Sequence, residues 1–196
     1  MADQTLPEWF VRAMADMPEA AMIEVEGAFV ETLTWGRRGD PGVLLLHGYA
    51  GHAGWWRFIA PFLAEGRRVT AMSWTGMGGS DRREAYSFGA YAREALAVAQ
   101  ATGLYEAGPP TAVGHSFGSV AMMLAAARHP EAFAAAVAVE TTLLPLIRVR
   151  ARPQAAPGER VFADIDAARP RFKLSPPAAA AEPFVLDVVL QGALGP

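Results

Sequence analysis

Cysteine is absent from the 196 residues, which excludes disulfides, thiol nucleophiles and cysteine-ligated zinc by composition. Histidine is scarce and one-sided, with four residues at positions 47, 52, 115 and 129 and none beyond. Charge of one sign is lacking too: 17 Lys and Arg against 20 Asp and Glu leave a formal net charge of −3, without the basic field a nucleic-acid partner requires. The one local basic run, Arg148-Val149-Arg150-Ala151-Arg152, reads as solvated surface. The first twenty residues, MADQTLPEWFVRAMADMPEA, place acids early and contain no uninterrupted apolar stretch, so no membrane partner and a soluble cytoplasmic location are expected. Three motifs are missing: a Gly-x-Gly-x-x-Gly after the first strand, a glycine loop ending in lysine, and His-Glu-x-x-His. Their absence sets aside dinucleotide, nucleotide and zinc-protease chemistry, and no cofactor or metal is expected.

What the chain has is apolar material. At 52% hydrophobic residues, a chain of this length fits one domain with a sizeable core. Alternation over Ala28 to Trp35 predicts a sheet strand, and the apolar run Gly42 to Gly48 a strand buried on both faces. Strands are also expected over Val69 to Trp74, Thr111 to His115 and Phe133 to Glu140. Between them, helical patterns cover Trp55 to Leu63, Ser87 to Ala101 and about Val120 to Arg128, and a further amphipathic helix is expected over Pro7 to Met17. This alternation predicts an α/β fold, a mostly parallel sheet flanked by helices. Beyond Glu140 the pattern stops. Prolines crowd Leu143 to Gly158 and Pro170 to Pro183, and only short helices near Phe162 to Ala168 and Phe184 to Leu190 are legible. Residues 1–141 are therefore expected to form the core, and residues 142–196 a partial helical cap or lid.

The most informative stretch is Thr111 to Val120, TAVGHSFGSV. A short apolar strand enters Gly114-His115-Ser116-Phe117-Gly118 and leaves into an alanine-rich helix, the setting of a nucleophile elbow. The glycines allow a tight turn that lifts the Ser116 hydroxyl clear of the sheet, and the Phe117 N–H falls near the helix start, where it can meet developing negative charge.

With this elbow stand two further glycine-rich segments, His47-Gly48-Tyr49 running on to Gly54, and Gly76-Met77-Gly78-Gly79-Ser80-Asp81. Over roughly residues 20 to 141 their order and spacing resemble the α/β-hydrolase family, in its capped single-domain branch of esterases, epoxide hydrolases and haloalkane dehalogenases. A serine at 116 favours ester chemistry over the latter two, whose nucleophile is an aspartate. The family pattern places an aspartate three residues before Gly76. Here that residue is Ser73, a departure expected to bear on packing rather than chemistry.

The resemblance implies catalytic Ser116 attacking an acyl carbonyl, with the oxyanion met by the backbone N–H groups of Tyr49 and Phe117. His47 is expected to support the loop, His115 to pack beside the elbow pointing away from Ser116 and His129 to close the following helix, leaving His52 as the histidine able to swing toward substrate. Family order also implies an acid and then a histidine after the last core strand, and no such histidine follows Ser116 at the required place. Glu140, at the end of its strand, is a candidate for the acid that orients an imidazole, against a plain strand-end contact. Asp164, Asp166 and Asp187 read as solvated or capping residues. Trp55, Trp56, Phe58 and Trp74 either line an apolar acyl pocket or pack between helix and sheet.

The function expected is a serine hydrolase for small hydrophobic carboxylic esters, working through an acyl-enzyme. The alternative is a catalytically weak or inactive relative that binds small molecules or protein. Measured against the family, the last core strands are not legible, so the strand ending at Glu140 is expected to form an exposed edge through which a homodimer can pair.

Overall fold

Leu44, Leu45 and Leu46 have no exposed surface, and this apolar centre organises everything around it. Each such side chain contributes roughly 1.5–3 kcal/mol by leaving water. The computed structural model describes residues 6–141, 164–172 and 182–191. Its six strands are β1 (Glu19–Val25), β2 (Ala28–Trp35), β3 (Gly42–Leu46), β4 (Arg68–Met72), β5 (Thr111–His115) and β6 (Ala135–Val139). They form one sheet in the order β1-β2-β4-β3-β5-β6. The β4, β3, β5 and β6 pairings are parallel, while β1 with β2 and β2 with β4 are antiparallel.

The helices are α1 (Glu8–Ala15), α2 (Ala60–Leu63), α3 (Phe88–Ala101), α4 (Phe117–Arg128), α5 (Ile165–Ala168) and α6 (Pro183–Gln191), with short 3-10 turns over Ala53–Trp56 and Arg169–Arg171. The expected α/β class is what the chain adopts, a mostly parallel sheet flanked by helices. On one face Val30, Leu44, Leu46, Met72 and Trp74 pack with α3 and α4, and on the other Trp35, Leu45, Val69 and Ala71 pack with Ala53 and Ala60. Ser87 caps α3 by accepting from the Ala90 N–H at 3.1 Å.

Three local expectations change. The helix over Trp55 to Leu63 divides into the 3-10 turn and α2, because Pro61 lacks the N–H a continuous helix would use and is tolerated in the first turn of a new one. α4 begins at Phe117 rather than near Val120, since the elbow turns straight into the helix. β1 is an additional strand, joined to β2 by the two-residue turn Glu26-Gly27 with φ of 49° and 76°.

At the C-terminal end, α6 buries Val188, Val189 and Leu190 and sets the Phe184 ring 4.6 Å from that of Phe10 on α1. No helix among the described residues is long and apolar enough to cross a membrane.

Candidate active site

β5 ends at His115 and α4 starts at Phe117, so Ser116 alone makes the reversal. Its backbone sits at φ 48°, ψ −112°, a region that costs a non-glycine residue about 1–3 kcal/mol and persists only where the surroundings impose it. Here they do. The Ser116 N–H donates to the Val139 carbonyl at 2.9 Å, and the Ser119 N–H donates to the Ser116 carbonyl at 3.1 Å. The buried Ser119 hydroxyl donates to the Gly114 carbonyl at 2.5 Å. Two glycines make the close approach feasible. A Cβ on Gly114 would lie 2.7 Å from the Ser119 backbone, and one on Gly118 would lie 2.6 Å from the carbonyl oxygens of Leu46 and His47. The Ser116 side chain makes no capping bond to α4, so its hydroxyl is not spent on the helix. Phe117 is the first residue of α4, in the turn whose N–H groups have no intrahelical acceptor and carry the positive end of the helix dipole.

Facing the elbow is the loop that follows β3. A Cβ on Gly48 would stand 2.8 Å from His115 Nδ1 and 3.4 Å from Ser116 Cβ, so the loop backbone lies directly against the serine's own residue. The Gly51 N–H closes a turn on the Gly48 carbonyl at 3.1 Å, and Ala50 takes a left-handed φ of 58°. Tyr49 between them is 55% exposed, with its ring 6.1 Å from the Phe117 ring. The loop thus brings Tyr49 beside Phe117, at the mouth of the elbow.

His47 fixes the start of this loop. Its Nδ1 bonds the Gly48 carbonyl at 2.7 Å and its Nε2 accepts the Trp74 N–H at 3.2 Å, which assigns the proton to Nδ1. The Trp74 indole N–H also donates to the His47 carbonyl at 3.0 Å. Burial pushes the His47 pKa down to about 3, against the opposing pull of the Gly48 carbonyl, so the ring is neutral at physiological pH. It is structural support, with both nitrogens occupied.

The other histidines separate by environment. His52, expected to be the one free to reach substrate, is instead buried, and its Nε2 donates to the Val189 carbonyl of α6 at 2.7 Å. That carbonyl lies in the last turn of α6, where helical acceptors lack intrahelical donors, so His52 is recruited as a partner for the helix end. Burial lowers its pKa despite the Val189 carbonyl and the Glu31 charge. His129 stands at the C-cap of α4, donating its N–H to Ala125. His115 is partly exposed, and its Nε2 lies 3.3 Å from the Glu140 carboxylate. Glu140 follows β6 at a left-handed φ of 51°. The structure therefore brings together Ser116, Phe117, Tyr49, His115 and Glu140.

The aromatic residues resolve toward packing. Trp74 has no exposed surface and sits 5.4 Å from Tyr91 and 6.1 Å from Phe117, ring to ring. Trp56 packs against the core cluster that includes Ala53, Phe58 meets Phe10 at 6.5 Å, and Trp55 meets the His52 ring at 6.5 Å. Asp164 caps α5 through the Ala167 N–H, and Asp187 pairs with Arg169.

Two carboxylates escaped the sequence reading. Glu94, 1% exposed on α3, accepts from the Thr75 N–H, the Thr75 hydroxyl at 2.6 Å and Arg83 Nε at 3.0 Å. Glu31 on β2 accepts from the Ser73 hydroxyl at 2.5 Å and the Gly79 N–H at 3.0 Å. Each is a lone carboxylate within its own strand or helix pattern, and the one signal available was the glycine-rich segment whose backbone donors need such acceptors.

A parallel sheet that delivers a strained serine onto a helix N-terminus, with a glycine loop closed over it, defines an α/β fold of the hydrolase type. The chain belongs to that family: the alpha/beta hydrolase fold matches residues 41–172. It is similar to Epoxide hydrolase A of Mycobacterium tuberculosis, at 33% identity over 135 residues, covering 67% of this chain and 41% of that protein. Among solved structures it is similar to Epoxide Hydrolase A from Mycobacterium thermoresistibile, with a TM-score of 0.57 and 30% identity over 62% of this chain and 38% of that one. The thioesterase domain from the curacin biosynthetic pathway shares the fold, with a TM-score of 0.68 and 24% identity over 89% of this chain and 67% of that one. The chain thus spans about two fifths of the length of the curated relative it matches.

Proposed function

We propose that this chain is a serine hydrolase acting on small hydrophobic carboxylic esters through an acyl-enzyme. The observation that carries the reading is the strained Ser116 backbone, held at φ 48° between two glycines that contact leaves no room to replace. A conformation that costs stability and is over-determined by its surroundings is the mark of a functional turn. Ser116, where the mycobacterial epoxide hydrolases invite comparison by overall similarity, supports ester rather than epoxide chemistry because an acyl-serine can be hydrolysed through its carbonyl.

In this reading Ser116 Oγ bonds to the acyl carbon and its proton passes to an imidazole. The carbonyl oxygen takes up the electron pair and is met by the N–H groups of Tyr49 and Phe117. Collapse expels the alcohol oxygen, which takes the proton from the imidazolium. Water then attacks the acyl-serine by the same route and restores Ser116. The imidazole assigned here, against the sequence expectation that it points away, is His115, whose Nδ1 and the Ser116 Cβ both border the space beside Gly48 and whose Nε2 faces Glu140, leaving Glu140 to orient the ring and stabilise its charged form. In this reading residues 1–141 form the core and residues 142–196 the cap or lid, a segment of which only 164–172 and 182–191 fall within the described residues.

The test is release of p-nitrophenol from p-nitrophenyl acetate, followed through burst and steady state, with intact mass recorded alongside. Serine-dependent release with an acetyl adduct that Ser116→Ala abolishes is the expected result. Folded protein with neither release nor adduct would instead favour the second reading, a binding module built on a hydrolase scaffold. The observation favouring that alternative is β6, which among the described residues is one of the two edge strands of the sheet, opposite β1, and is exposed along all five residues. A second copy pairing along this edge would give a dimer that Val137→Lys disrupts, read by sedimentation.

A further inference from the structure

The loop that carries Tyr49 is gripped at both ends by two consecutive residues just past β4. Trp74 holds its beginning, through backbone and indole N–H groups on His47. Ser73 holds its far end, where the Ser73 Oγ accepts the Ala53 N–H at 2.9 Å. Both Ser73 and Ala53 are fully buried, so this is a bond that water does not replace.

A serine hydroxyl rotates, and its value as an acceptor depends on where its proton points. Here the proton is committed: Ser73 Oγ–H donates to Glu31 Oε2 at 2.5 Å. A hydroxyl that donates to a carboxylate turns a lone pair toward Ala53 and becomes a stronger acceptor by polarisation. The same carboxylate oxygen takes the Gly79 N–H at 3.0 Å, which fastens the glycine-rich segment after β4 to the same point. Glu31 does not depend on these side-chain bonds for its own place, since its carbonyl accepts the Ser73 N–H at 2.9 Å and its N–H donates to the Ser80 hydroxyl at 2.8 Å.

We propose that Glu31 is a positioning residue for the oxyanion loop, acting through the Ser73 hydroxyl to hold Ala53 and so fix where the Tyr49 N–H stands. The inference rests on the oxyanion role proposed above for that loop. It also accounts for the serine at 73: the carboxylate that serves this corner stands on the neighbouring strand and reaches the loop through one hydroxyl. Because catalysis by such donors depends on their being placed before charge develops, loosening one anchor weakens the site without dismantling the fold.

The test compares wild type, Glu31→Ala, Glu31→Gln, Ser73→Ala and the double variant Glu31→Ala with Ser73→Asp, which returns a carboxylate to the corner from the other strand. Two readouts are taken on each folded protein: amide hydrogen exchange over residues 47–54, and the rate at which a fluorophosphonate forms a phosphorus–oxygen bond at Ser116 with loss of fluoride. Glu31→Ala and Ser73→Ala are expected to raise exchange in that loop about tenfold and slow labelling by a similar factor, with exchange in β3 and α4 unchanged. Glu31→Gln, which keeps one acceptor, is expected to fall between, and the double variant to recover most of both losses. Unchanged loop exchange in Glu31→Ala, or a double variant no better than the single one, would overturn the proposal. If wild type exchanges as expected yet never labels, the hydrolase reading fails while the exchange series still decides the role of Glu31.

Discussion

Ser116 stands between two unlike neighbourhoods. On the oxyanion side, the loop after β3 is held by His47, Ser73, Trp74 and Glu31, nearly all buried, with every polar group named above paired. On the other side, the chain leaves β6 through Glu140, whose side-chain partner among the described residues is the partly exposed His115 at 3.3 Å, and β6 itself lies open along its length. The first side is built to keep dipoles fixed. The second holds its imidazole and carboxylate in a high-dielectric setting, where their mutual attraction is small. Under the proposed hydrolase reading, such a site would stabilise an oxyanion better than it activates a nucleophile, and slow acylation relative to the quality of its oxyanion cradle is the kinetic pattern to expect.

Breaking the well-held side has the largest consequence. Glu94→Ala removes the acceptor for both Thr75 donors and leaves Arg83 short of its carboxylate in a buried corner, a loss of about 3–5 kcal/mol measurable by urea unfolding. Gly118→Ala comes next. Its Cβ would press on the carbonyls of Leu46 and His47, and a cost of about 2–3 kcal/mol is expected from the shift this forces.

Acid tests the same side through His47. Its pKa falls from 6.5 to about 3 on folding, so between those values the unfolded chain holds a proton the folded chain refuses. This contribution is fully present above about pH 6.5 and is lost as the pH falls toward 3. Burial shifts His52 in the same direction. The thermal midpoint should therefore drop steadily over this acid window.

The pivot and the open side respond less. Ser116→Gly relieves the left-handed backbone and is expected to raise stability by about 1 kcal/mol while abolishing labelling, a trade of function against strain. Glu140→Gln removes an exposed partner and should change stability by less than about 1 kcal/mol. A cost comparable to that of Glu94→Ala would erase the contrast between the two sides.

The contrast also explains what could be read from the chain alone. β2 and β5 occupy the residues their alternation and apolar runs predicted, and the elbow was visible because glycine, serine and helix-forming residues act within a few positions of one another. β1 escaped because its seven residues are mostly exposed and its hairpin turn uses Glu26 where asparagine or aspartate would announce a left-handed residue. The place of His52 was illegible for a different reason: its acceptor lies 137 residues away in α6. Glu31 and Ser73 are likewise joined only by the register of β2 on β4, which local pattern does not encode. The parts of the site within one turn were readable, and the parts that hold it in place were not.

The most direct measurement is the intact mass of the folded chain after treatment with a fluorophosphonate, beside Ser116→Ala under the same conditions. One adduct, mapped to Ser116 and absent from the variant, is the predicted result. A folded wild-type chain that takes no adduct, or a variant that takes one equally, would contradict the assignment of Ser116 as the nucleophile.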